Sequence, residues 1–369
     1  MADRAAVTTP RKSRANRTPV RRFNASRHML LVLVAFAATV IVTRLYLEMT
    51  GYPQIGGGGS IHIAHVLWGG LILFVAAVLP LMLANQWVLT VASVLAGIGM
   101  GLFIDEVGKF ITSSTDYFVP IAAPIIYGVF LVTVWIYLQT RRPPPASARN
   151  ELYRVLDEMK EVLDHDLDPD ERRDLLNSLQ RVQADQSDPN VAKLAREMLD
   201  FLDAEGLQVV SRNPSAVEVE LESARLFVRE YIGLQPLRVL LIVGFLFLGV
   251  IQLANYSALS YVYSSYGPDF QWVIHNGTTE YLLTNPSWLV FRATAAIAVG
   301  LLYIVAAVFL MRNQVRLGAR SGMVALLLSL TVLNLISFYF QLFYTIAISL
   351  VELSLLLVLV LYRRRALTG

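Results

Sequence analysis

The chain has 369 residues, of which 55% are hydrophobic and only 16% charged, with a net charge of +3 and no cysteine. A soluble domain carries about a quarter charged residues, so a mean hydropathy of +0.53 excludes that class. The lack of cysteine excludes disulfides, thiolate metal sites, iron–sulfur clusters and cysteine nucleophiles.

The apolar residues fall into blocks of about 20, the length that crosses about 30 Å of hydrocarbon at about 1.5 Å per residue. The predicted fold is all-α, a polytopic transmembrane helical bundle with a small helical module outside the membrane. In chain order, residues 1–28 read as a basic, disordered cytoplasmic tail suited to anionic lipid. No small-residue cleavage site follows, which argues against a secretory signal. The first span is predicted from Met29 to Tyr46, with Arg44 and Glu48 at its far end. Arg44 is a candidate to meet a lipid phosphate or to pair with a neighbouring charge such as Glu48.

The second span, Ile61 to Ala84, opens as GGGGSIHIAHVLWGG, with His62 and His65 one turn apart and Gly69 on the same side. The third, Val88 to Ile111, closes as GIGMGLFIDEVGKF. On a continuous helix Asp105 and Lys109 lie about 40° apart, and Glu106 lies about 60° from Lys109 on its other side. Gly97 and Gly101 continue the stripe of Asp105 at the spacing that lets two membrane helices approach closely. By helical rise, His65 sits about 6 Å below the start of its span and Asp105 about 9 Å from the end of its own, so their depths match. Asp116 stands where the fourth span, Phe118 to Leu138, begins.

His62, His65, Asp105, Glu106, Lys109 and Asp116 therefore form one predicted polar cluster opening toward the outer leaflet. Charges in a span cost about 2.5–3.5 kcal/mol each and point to function. Acid–base chemistry fits, with histidine or a carboxylate activating a hydroxyl or water and Lys109 neutralising an anionic group. A divalent metal held by His62, His65, Asp105 and Glu106 is the lesser alternative, because Lys109 would repel the ion. The plainest alternative is an i,i+4 ion pair of Asp105 with Lys109, the histidines anchoring the loop.

From RRPPPASARN the character changes, and residues 141–235 read as a cytoplasmic helical module. Two of its helices begin Asp-Pro, an N-cap followed by proline. Leu163, Leu167 and Val162 form one expected apolar face, and Leu175, Leu176 and Leu179 another; a fourth helix is expected around Ser215 to Tyr231. The run DHDLDPD lacks the glycine and terminal glutamate of a calcium loop and reads as helix capping. The module is a candidate site for a cytoplasmic protein partner. No nucleotide-binding, kinase or zinc-protease motif occurs, and no nucleic-acid partner is implied.

Four further spans are expected in 236–369, as 29–140 holds four: Leu237 to Tyr256, Leu289 to Met311, and Gly322 to Tyr362 divided near Gln341 to Tyr344. Arg292 enters the sixth and is a second candidate for a lipid phosphate. Between these spans YVYSSYGPDFQWVIHNGTTEYLL reads as an amphipathic loop. Glu352 falls near the middle of the last span, facing Asn334 and Ser337. It is either a proton-carrying group or a hydrogen-bonded packing residue. Every cluster of Lys and Arg beside the spans falls on the side that eight crossings assign to the cytoplasm, so both termini are expected there.

His65 followed by FIDEVGKFITSSTDYF resembles the VanZ-like group of bacterial membrane proteins, with His65, Asp105, Glu106 and Asp116 at matching positions. Lys109 stands where that group usually has glutamine, and its Pro-x-Arg element is missing. The whole chain is also similar to a largely actinobacterial family of multi-pass membrane proteins through HIAHVLWGG and GLFIDEVGKF. These resemblances imply a bacterial inner-membrane protein working on the cell envelope. The leading expectation is binding, and further to that modification, of a lipid-linked or anionic substrate in contact with membrane lipid. Proton-coupled transport or sensing, and a non-catalytic scaffold, are the alternatives.

Overall fold

The computed structural model describes residues 19–50, 65–111, 121–143, 147–163, 167–185, 188–203, 233–266, 272–276, 279–283, 287–340 and 342–368. The long helices are α1 (Ala25–Thr50), α2 (His65–Met82), α3 (Gln86–Asp105) with the short α4 (Val107–Ile111), and α5 (Ala122–Thr140). Then come α6 (Ala148–Leu163), α7 (Pro169–Ala184) and α8 (Pro189–Asp203). After them run α9 (Leu234–Tyr266), α10 (Ser287–Met311), α11 (Val315–Leu328), a π-helical turn (Ser329–Leu333), α12 (Asn334–Phe340) and α13 (Leu342–Thr368). Eight stretches are long and apolar enough to cross a membrane, the last two being Val315–Tyr339 and Tyr344–Ala366. The chain is an integral, multi-pass helical membrane protein, and its spans contact lipid through the exposed apolar side chains that stud them.

Several boundaries differ from the sequence reading. α1 begins at Ala25, four residues before the apolar block, because Arg27 and His28 extend a helix without needing to enter hydrocarbon. α9 runs past Tyr256 to Tyr266, and part of the expected amphipathic loop is an antiparallel hairpin, Trp272–Asn276 (β1) with Thr279–Leu283 (β2), in register Ile274 to Tyr281.

The described helices group into two compact units. One comprises Met1–Leu33, Ala76–Val94 and Trp135–Asn213, the other Val34–Val75, Leu95–Val134 and Pro214–Gly369. In the first, α6, α7 and α8 close over Leu152, Val155, Leu167, Leu175, Leu179 and Leu202. Asp168 caps α7 by accepting from the Asp170 and Glu171 N–H groups, while Glu171 accepts from the Asp168 N–H, a full capping box. Leu163 departs from expectation: it is 79% exposed, because it is the last residue of α6 and lies just past the packed run of Leu152, Val155, Met159 and Val162. α6 is also tied to span ends: the Gln86 amide donates to the Asp157 carbonyl at 3.0 Å, and the Arg154 guanidinium lies 4.3 Å over the Phe23 ring.

In the second unit α9, α10, α11 and α13 interleave around Leu241, Phe245, Leu248, Tyr303, Leu310, Leu326 and Leu359. α10 stops in a Schellman turn. Asn313 is left-handed at φ 62°, its N–H bonds the Leu310 carbonyl, and the Gln314 N–H reaches back to Phe309. α11 can therefore start at once. The expected fourth module helix lies outside the described residues, as does the loop from Gly51 to Ser60.

Candidate functional site

The cluster at the end of α3 depends on a helix break. The Lys109 N–H bonds the Glu106 carbonyl at 3.1 Å, one residue short of α-helical spacing, and the helix restarts as α4. The Asp105 carbonyl is thereby left without its helical donor. Arg44 of α1 supplies one: its Nη2 donates to the Asp105 backbone oxygen at 3.1 Å while Nε donates to Oδ1 at 2.6 Å. A guanidinium at a helix C-terminus is placed where the helix dipole favours a cation. The two side chains are 7% and 0% exposed, so the pair is desolvated.

Small residues permit this depth. A Cβ on Gly101 would meet Thr39 Cβ of α1 at 2.8 Å, and one on Gly99 would meet the Gly69 carbonyl oxygen of α2 at 2.8 Å. α1, α3 and α2 thus pack backbone to backbone beside the charged residues. Of the expected stripe, Gly101 makes such a close contact, and Gly99 with Gly69 adds a second, unforeseen one.

Glu106 turns to the start of α2. Oε2 accepts from the Val66 N–H at 2.9 Å, a carboxylate satisfying a helix N-terminus contributed by another helix, and Oε1 accepts from Lys109. His65 stands between the carboxylates, Nε2 3.5 Å from Asp105 Oδ2 and Nδ1 3.5 Å from Glu106 Oε2. These separations are longer than a normal hydrogen bond, so the ring has room to tighten on either carboxylate. Asp105 and Glu106 are fully buried, whereas His65 and Lys109 keep 22% and 26% of their side chains exposed. The two carboxylates offset Arg44 and Lys109, and protonation of His65 would leave the cluster with one net positive charge.

Of the predicted cluster, the structure brings together His65, Asp105, Glu106 and Lys109. His62 and Asp116 lie outside the described residues. The expected Asp105–Lys109 pair is replaced by Glu106–Lys109, because the break shortens the spacing to i,i+3. Arg44, a candidate for a lipid phosphate or for pairing with a neighbouring charge such as Glu48, is the buried partner of Asp105. Arg292 of α10 donates through Nε to Ser337 Oγ at 3.2 Å, and of the two partners expected for Glu352 it is Asn334 that bonds it, at 2.7 Å. For the metal alternative, Arg44 and Lys109 occupy the carboxylate oxygens that would serve as ligands. Among the described residues no group of three His, Asp or Glu is arranged to hold a metal ion. The Val66 N–H, a backbone group, was invisible to a reading of side chains.

Comparison with family models, with curated proteins and with solved structures found no match to this chain. The chemistry of the cluster is therefore read from its own residues.

Proposed function

We propose that this multi-pass protein binds the anionic head of a lipid-linked substrate at the edge formed by His65 and Lys109, with His65 placed to exchange a proton with the bound group. The observation that carries this reading is the division of exposure: both carboxylates are fully buried, and the two side chains that keep open surface are the two able to present positive charge. An anion approaching this edge meets an imidazole and an ammonium, each backed by a buried carboxylate. The VanZ-like resemblance around His65 and Asp105 supports the same reading and a bacterial inner membrane, and the distribution of Lys and Arg beside the spans supports cytoplasmic termini with the cluster toward the outer leaflet.

Native mass spectrometry of the protein extracted from membranes tests it. Wild type should retain an anionic lipid that is depleted at least several-fold in His65→Ala and in Lys109→Gln, and kept by Arg312→Gln in the α10–α11 connection. Equal retention by all four folded proteins would refute the proposal.

A further inference from the structure

A second polar group is built into the other spans of the same unit. Glu352 of α13 is fully buried, and three neutral donors point at it. Asn334 Nδ2 donates to Oε2 at 2.7 Å, Tyr303 Oη donates to Oε1 at 3.2 Å, and Ser329 Oγ also donates to Oε1. Among the described residues no ion pair includes Glu352.

The π turn makes this arrangement. On an α-helix Ser329 and Asn334, five residues apart, would point about 140° away from each other. The Asn334 N–H bonds the Ser329 carbonyl, an i→i+5 closure that brings residues five apart over one another. Both ends of the turn therefore face Glu352, one on each oxygen. The remaining neighbours are neutral or already engaged. From α5, Tyr127 donates its hydroxyl to the Leu330 carbonyl within the turn. From α13 itself, Ser349 accepts the second hydrogen of the Asn334 amide at 2.9 Å. Arg292 of α10 is bonded to Ser337, and α9 brings the apolar Leu237, Leu241, Ile242, Phe245, Leu246 and Leu248 to this core.

We propose that Glu352 is a proton-binding site whose ligands are the two ends of the π turn. The hydroxyls allow the proton to be taken up without moving a side chain. When Oε1 is protonated its new O–H donates to Ser329 Oγ, and the serine hydrogen rotates to a carbonyl one turn back, as helical serines do. Tyr303 and Asn334 continue to donate to the lone pairs left on Oε1 and Oε2. Burying a carboxylate among neutral groups in a membrane costs far more than burying the acid, so the occupied site is the resting one. A sodium ion fits less well, since Asn334 turns its NH2 rather than its oxygen toward Glu352 and Ser349. The proposal is independent of the His65–Lys109 edge.

Infrared spectroscopy of the full-length protein in liposomes at neutral pH tests it. Wild type should show a carboxylic C=O band that shifts in deuterium oxide, disappears in Glu352→Gln, and moves in frequency in Ser329→Ala, where one hydrogen bond is lost. Should Glu352→Gln not fold, the Ser329→Ala shift alone makes the assignment. No protonated-carboxyl band at neutral pH, a band unchanged in both variants, or a band abolished by replacing choline with sodium would each overturn it.

Discussion

Arg44 and Asp105 illustrate how a buried charge pair behaves when one member is removed. Each is desolvated, and the guanidinium is bonded to both the side chain and the main chain of its partner. Taking away the cation leaves Asp105 buried beside Glu106 without its guanidinium, and removing one partner of a buried ion pair typically costs about 3–5 kcal/mol. Arg44→Leu is therefore expected to lower stability by about that amount, and Arg44→Leu with Asp105→Leu to recover much of it, because replacing both partners removes the unpaired charge. Thermal unfolding in detergent reads both; equal destabilisation in the single and double variants would contradict the argument. At this scale the sequence revealed which residues were anomalous, since a charge in an apolar run stands out. It did not reveal who pairs with whom. The pairing rests on a helix break at Glu106 and on Gly99 and Gly69 bringing backbones together, and neither alters the hydrophobic pattern. Ser329 and Tyr303 around Glu352 were missed for a like reason, as an α-helical period puts Ser329 and Asn334 on different faces.

Among the elements, those with local signals were the legible ones. Asp168-Pro169 and Asp188-Pro189 start α7 and α8 as capping chemistry requires, with Asp168 and Asp188 accepting from N–H groups two residues on. The π turn and the hairpin carry no comparable signal. α6 adds a titrating group. Burial pushes the Glu158 carboxyl above its usual 4.5, and its bond to Arg154 only partly offsets this. An acid whose pKa is raised by folding is more favourably placed protonated. Its contribution to stability is thus lost as pH rises above 4.5 through the raised folded value, and is restored on acidification through the same window. Glu158→Gln removes that penalty, so α6 amides in the intact protein should exchange hydrogen more slowly than wild type near neutral pH, by a small factor. The difference should vanish as the pH approaches 4.5. A variant less protected than wild type at neutral pH would show that the Arg154 bond outweighs burial.

For the molecule as a whole, the proposed sidedness of the eight candidate spans rests on charge and is open to direct measurement. An even number of crossings returns the chain to the side where it started. Arg141 and Arg142 follow α5, Arg312, Arg316 and Arg320 surround the tight turn into α11, and Arg363 to Arg365 close α13, whereas 51–60 and 257–288 contain no Lys or Arg. The membrane potential and the insertion machinery retain basic loops in the cytoplasm. All the arginine clusters are then on one side and both uncharged-to-acidic loops on the other. Because the chain has no cysteine, single cysteines report without background. In intact cells, Gly56→Cys should react fully with a membrane-impermeant maleimide, and Ser147→Cys and Leu367→Cys only after permeabilisation. Labelling of Ser147→Cys from outside would invert the topology and put the His65–Lys109 edge at the cytoplasmic leaflet. Labelling of Gly56→Cys and Leu367→Cys together would require an odd number of crossings, and one of the eight apolar helices would then have to lie within the membrane without spanning it.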